Sequence, residues 1–88
     1  MAIEVLGKPN CSMCDATKRF LNKYQIPYTY TDVSTDMQAF ERAKATGLQQ
    51  LPILFVEGQE PVSGFRVDVL QAERKRLAEA AEQQLAAA

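Results

Sequence analysis

The sequence predicts an α/β fold in which a four-stranded mixed sheet is flanked by three helices, the last of them extended. Three observations carry this. Four short segments rich in strand formers alternate with three of helical periodicity, glycine or proline marks most junctions, and 88 residues amount to one domain (1–88) with no room for a second. A chain of this length buries only about 60–65% of the surface exposed by its unfolded form, so each buried group counts. With 47% hydrophobic and 24% charged residues, the composition is that of a folded chain and not a disordered one.

The elements follow in order. Ile3, Glu4, Val5 and Leu6 read as a short strand ended by Gly7 and Pro9. Met13, Thr17, Phe20, Leu21 and Tyr24 recur at the spacing of one helix face, and Pro27 stops that helix. Residues 28–31 (Tyr28, Thr29, Tyr30, Thr31) favour a second strand closed by Asp32. Thr35 with Gln38 three residues on reads as a capping box for a second helix, with Met37 and Phe40 as its inner face and Gly47 as its stop. Ile53, Leu54, Phe55 and Val56 lack polar alternation, so they predict a central strand covered on both faces. Residues 57–59 turn the chain into residues 60–63, and Pro61 confines that strand to a sheet edge. From about Val67 to Ala86 the chain favours helix, with Val69, Leu70 and Leu77 able to pack and charged residues elsewhere. The core then spans about residues 1–77, and the alanine-rich stretch 78–88 is expected to project beyond it and fray. The first three elements make a right-handed βαβ unit and hence a parallel pair, whereas the last two strands share a short turn and should be antiparallel. Tyr24, Tyr28 and Phe40 are assigned to packing.

Several function classes fall away. Ten basic and eleven acidic residues leave a net charge of −1, without the clustered basic surface of a nucleic-acid binder. The longest apolar run, residues 51–56, is far short of the ~20 residues of a membrane span. Residues 1–4 lack the basic start and apolar stretch of a signal peptide, which predicts a cytoplasmic protein. Histidine is absent, which excludes a histidine-based triad and a zinc hydrolase.

Both cysteines fall in one segment, Cys11-Ser12-Met13-Cys14, a coincidence expected roughly 2% of the time for two cysteines placed at random in so short a chain. Placed at the first turn of the first helix, Cys11 faces backbone N–H groups that lack intrahelical partners. The macrodipole favours an anion there by about 0.3–1 kcal/mol, and up to ~2 when partly buried. That lowers a thiol by about one pKa unit from its free value near 8.5. Lys8 adds positive charge, and a hydrogen bond from the Cys14 thiol adds further stabilisation. Cys11 is thus the expected nucleophile and Cys14 the more buried partner, which attacks the mixed disulfide and leaves an oxidised Cys11–Cys14 pair. Two other roles are open to such a pair. A purely structural disulfide closing so short a loop gains little. A zinc or iron–sulfur site needs about four ligands, so it requires paired chains or exogenous thiols.

Three blocks, Cys14-Asp15-Ala16-Thr17-Lys18-Arg19, Gly47-Leu48-Gln49-Gln50-Leu51-Pro52 and Ser63-Gly64-Phe65-Arg66-Val67-Asp68, resemble those typical of the glutaredoxin-like NrdH-redoxins. The resemblance covers roughly residues 3–70. It implies the thioredoxin-like fold and a small dithiol–disulfide oxidoreductase that reduces protein disulfides. It also implies a cis Pro52 facing the cysteine pair, with the Leu51 backbone pairing with an extended substrate segment by strand addition. Ser12 and Met13 would line the rim around the sulfur, where a methionine offers an adaptable apolar contact. Gly64, Phe65 and Arg66 would contribute to the partner surface, although Phe65 suits a core anchor equally well and Arg66 suits a helix-terminal surface charge.

The departures from glutathione-using glutaredoxins shape the expected partners. Those proteins usually have Cys-Pro-Tyr-Cys, a Thr-Val-Pro segment, and a glycine pair with acidic residues at the last helix. Here stand Ser12-Met13, Gln50-Leu51-Pro52, and Gly64-Phe65-Arg66 with Asp68 as the only acidic group. Lost polar contacts at ~0.5–1.5 kcal/mol each would weaken glutathione binding at least tenfold. The resemblance therefore implies a monomer that donates electrons to the large subunit of class Ib ribonucleotide reductase, or to another disulfide-containing protein. Thioredoxin reductase would recycle it, with NADPH and FAD belonging to that partner and no cofactor or metal bound to this chain. A glutathione-dependent glutaredoxin, and a non-catalytic iron–sulfur or zinc module of paired chains, stand as the alternatives.

Overall fold

The computed structural model describes residues 3–87, with side chains described through residue 81. Seven elements follow one another: β1 (Ile3–Gly7), α1 (Ser12–Lys23), β2 (Thr29–Asp32), α2 (Met37–Ala45), β3 (Ile53–Val56), β4 (Val62–Ser63) and α3 (Val67–Ala87). The strands form one mixed sheet in the order β2-β1-β3-β4. β1 and β2 are parallel, with Val5 opposite Tyr30 and Gly7 opposite Asp32. β3 runs against β1, with Leu6 opposite Ile53, and β4 closes the edge as a hairpin partner of β3. Pro61 stands just before that edge strand, where a missing N–H costs the ladder nothing.

Strand alternation sorts the apolar groups onto two faces. Ile3, Val5, Leu54 and Val56 meet Leu21 of α1, Ile26 and Leu70 of α3 on one face, joined by Phe20, Tyr24, Tyr30 and Phe65. Leu6 and Ile53 meet Ala39 and Ala43 of α2 on the other, with Val33, Leu48, Leu51 and Phe55 around them. Removing a side chain such as Leu21 or Leu54 from water supplies roughly 1.5–3 kcal/mol, so the two layers together hold the sheet.

Helix ends follow local chemistry. α1 begins one residue later than the sequence suggests, with Cys11 as its N-cap in an extended conformation. It ends where the Ile26 N–H donates to the Leu21 carbonyl at 2.9 Å and Gln25 takes a positive φ of 54°. Gly47, at φ 76°, stands just beyond the Thr46 C-cap of α2, where a left-handed residue closes a helix.

Two expectations for α2 are corrected. The cap is Asp36, whose side chain accepts from the Ala39 N–H at 3.0 Å, and not Thr35. A carboxylate at the position directly before the helix outcompetes a hydroxyl one residue too early. The inner face is Ala39 and Ala43, while Met37 (74% exposed) and Phe40 (45%) point outward. Leu6 and Ile53 already fill the space beneath α2, and only alanine lets the helix approach them closely. Phe40 is therefore not a packing residue of the interior.

α3 is helical through Ala87, and Leu70 is buried with Val69 and Leu77 partly so. The packing of residues 82–88 lies outside the described residues, as does Ala88 itself. Glu73, expected among the solvated charges, is instead buried, and the Arg76 guanidinium holds both its oxygens at 2.9 and 3.0 Å. It falls three residues after Leu70, on the same helix face.

Candidate active site

The end of β1, the N-terminus of α1 and the start of β3 converge because β3 runs antiparallel to β1 and begins where β1 ends. Cys11 caps α1, so its sulfur accepts the Cys14 backbone N–H at 3.2 Å, while its carbonyl accepts the Asp15 N–H at 3.0 Å. The placement supplies the N–H groups and the dipole that favour a thiolate over a thiol. The two cysteines are joined as a disulfide across a Cα separation of 5.2 Å. Cys11 is the outer sulfur, at 8% exposure against 0% for Cys14. A second residue at the mouth is Leu51, whose carbonyl oxygen lies 3.9 Å from the Cys11 sulfur. The Leu51–Pro52 peptide bond is cis, and Pro52 is buried. The Pro52 carbonyl accepts the Gly64 N–H at 2.8 Å, which ties this turn to the segment leading into α3.

The remaining candidates divide. Ser12 is exposed and Met13 half-buried beside the disulfide, and the Met13 carbonyl accepts the Thr17 hydroxyl at 2.8 Å. Gly64 is buried at φ 85°, a conformation that favours glycine. Phe65 turns its ring edge to Phe20, with 6.5 Å between centroids, and packs against the core. Arg66 forms a bidentate pair with Asp68, at 3.0 and 2.8 Å. That guanidinium holds the Asp68 carboxyl down at about 2. Lys8 is exposed in the loop between β1 and α1, two residues before Asn10 at φ 58°.

Three further residues belong to the site that sequence reasoning did not single out. Gln50 donates toward the Met13 sulfur at 3.8 Å, and its carbonyl oxygen lies 3.6 Å from where a Cβ on Gly64 would sit. It thus spans the mouth from the α1 side to the α3 side, and its signal was its place directly before Leu51-Pro52. Gly7 and Tyr30 are the others. A Cβ on Gly7 would stand 2.6 Å from the Tyr30 hydroxyl and 3.0 Å from the Cys14 sulfur, so the glycine is required for space. The sequence showed it only as a strand terminator.

Among the described residues no group of three or more His, Cys, Asp or Glu side chains is placed to hold a metal ion. No described helix is long and apolar enough to cross a membrane.

Comparison with known proteins agrees with this geometry. The glutaredoxin family model matches residues 3–60. The glutaredoxin-like protein NrdH of Salmonella typhimurium is 31% identical over 70 residues, covering 80% of this chain and 85% of that protein. The solved structure of the glutaredoxin-like NrdH-redoxin from Escherichia coli superposes with a TM-score of 0.77 at 29% identity, covering 82% of this chain and 93% of its own. The thioredoxin-like protein BC3987 superposes at 0.72 with 32% identity, over 81% and 97% of the two chains. With its helix-capping cysteine pair and thioredoxin-like fold, the chain belongs to the glutaredoxin family as an NrdH-type redoxin, a thiol–disulfide oxidoreductase.

Proposed function

We propose that this redoxin reduces protein disulfides, with the large subunit of class Ib ribonucleotide reductase as its target and thioredoxin reductase as its source of electrons. The observation that carries the reading is the Cys11 sulfur, outermost of the pair and seated on the N-terminus of α1 beside the Leu51 carbonyl. In the forward direction the Cys11 thiolate attacks a substrate disulfide, forms a mixed disulfide, and releases the other substrate sulfur as a thiolate. Cys14, its proton passing directly or through solvent to the substrate thiolate just released, then attacks the Cys11 sulfur and releases the first substrate sulfur as a thiolate. Two electrons pass to the substrate and the Cys11–Cys14 disulfide remains. NADPH, through the FAD of the reductase, returns the two electrons. A strand of the substrate would pair with the Leu51 backbone, while Ser12, Met13 and Gln50 line the mouth around it.

The choice of reductase is supported by the Arg66–Asp68 pair. Asp68 is the acidic group at the last helix that could receive a glutathione amino end, and Arg66 already occupies both of its oxygens. The similarity to proteins named NrdH supports the ribonucleotide reductase partnership. The reading is tested by following NADPH consumption in two parallel assays, one with thioredoxin reductase and one with glutathione and its reductase, against a protein disulfide. Turnover is expected with thioredoxin reductase. Turnover with glutathione alone would overturn the electron source and leave the dithiol chemistry intact.

A further inference from the structure

Cys14 has a problem that Cys11 does not share. It is fully buried, so its proton must leave, and its charge must be met, inside the protein. The usual solution is a polar group packed against the sulfur. Gly7, at the end of β1, carries no side chain on the face where α1 lies. Into that space reaches Tyr30 from the neighbouring strand, in register with Val5 and therefore diagonal to Gly7. Its hydroxyl and the Cys14 sulfur close on the same point above Gly7, at 2.6 and 3.0 Å from the position a Cβ would occupy. The charged groups around the tyrosine are Lys18 and Asp15 of α1 and Asp32 of β2. The Lys18 ammonium sits 4.1 Å over the ring and 3.9 Å from the Asp15 carboxylate. Burial first, then the negative charges of Asp32 and Asp15, push the Tyr30 hydroxyl up from its ordinary value. It therefore stays protonated at neutral pH and can only donate to a thiolate, never compete with it as an anion.

We propose that Tyr30 is a positioning residue for the resolving half of the dithiol: in the reduced protein its hydroxyl donates a hydrogen bond to the Cys14 sulfur and stabilises the thiolate that attacks the mixed disulfide. Gly7 is the other half of the device, since any larger residue there would displace the ring. The inference rests on the reading of Cys14 as the resolving cysteine.

The test places Tyr30→Phe and Tyr30→Leu separately in a Cys11→Ser background, where Cys14 is the lone thiol. The carbon-13 shift of the Cys14 β-carbon is followed against pH, a readout independent of solvent access. Loss of the hydroxyl alone is expected to raise the titration midpoint, with the thiolate fraction at neutral pH falling about three- to tenfold. Tyr30→Leu should shift it by a similar amount. A midpoint unmoved in Tyr30→Phe overturns the proposal, whether or not the leucine variant moves. If only leucine shifts it, ring packing and not the hydroxyl is the agent. The resolving role of Cys14 is checked apart from this, by whether Cys14→Ser accumulates a mixed disulfide with substrate.

Discussion

Replacing Cys11 by serine removes the attacking sulfur while leaving a competent helix N-cap, because a serine oxygen accepts the same backbone N–H. Cys11→Ser should lose all disulfide reduction yet hold its unfolding free energy to within about 1 kcal/mol of the reduced parent, checked by coupled assay and urea titration side by side. Cys14→Ser should instead accumulate a covalent adduct, seen as a mass increase that dithiothreitol removes. Gly7→Ala should cost about 1–3 kcal/mol, since the new methyl meets a ring and a sulfur already in place. A urea midpoint unchanged in that variant would mean the ring moves aside freely. The cysteine pair could be read from the chain because its spacing is a local property, carried by the helix it opens. Gly7 and Tyr30 could not, since the space above the glycine is filled from another strand and no local pattern records it. Gln50 lies between these cases, visible as part of a block but without a task that the sequence states, because its reach from the Met13 sulfur toward Gly64 is a tertiary feature.

α2 shows how an element can be located correctly and turned wrongly. Its existence follows from a polar start, nine helical residues and a glycine stop. Its orientation was hidden because large apolar residues draw attention, whereas the sheet beneath selects for small ones. Asp36→Ala should destabilise by about 1 kcal/mol through loss of the cap, and Thr35→Ala by no more than about 0.5 kcal/mol. The reverse order in thermal unfolding would restore Thr35 as the cap. Phe40→Ser should likewise cost little, while Leu21→Ala, inside the opposite layer, should cost about 2–5 kcal/mol. α3 carries the comparable lesson in Glu73, whose burial depends on a partner one turn further along the same helix. A charge pattern in sequence cannot distinguish a solvated glutamate from one held under a guanidinium.

At the scale of the whole molecule, two carboxylates among the described residues, Glu4 and Asp68, bias stability toward neutral pH. Arg42 grips Glu4 with both guanidinium nitrogens, linking α2 to β1, and holds its carboxyl below the ordinary range. Arg66 does the same to Asp68, down to about 2. A depressed carboxyl contributes stability above its unfolded value and loses it as pH falls through the folded one. Stability should therefore decline from about pH 4.5 for Glu4, and between about 3.8 and 2 for Asp68. Glu4→Gln should cost about 0.2–1 kcal/mol at pH 7, and the difference from the parent should vanish by low pH in urea titrations. A difference that persists in acid would place the cost in packing instead. The mixed sheet itself was legible, because a helical crossover demands parallel strands and a tight turn demands antiparallel ones. That strand arrangement has a practical corollary. The hairpin around Gly58, with open space about it at φ 80°, sits at the pole of the sheet opposite the sulfurs. A tether grafted there would let the protein be wired to an electrode or bead with its reactive end facing the solution, so electron exchange could be followed on oriented molecules.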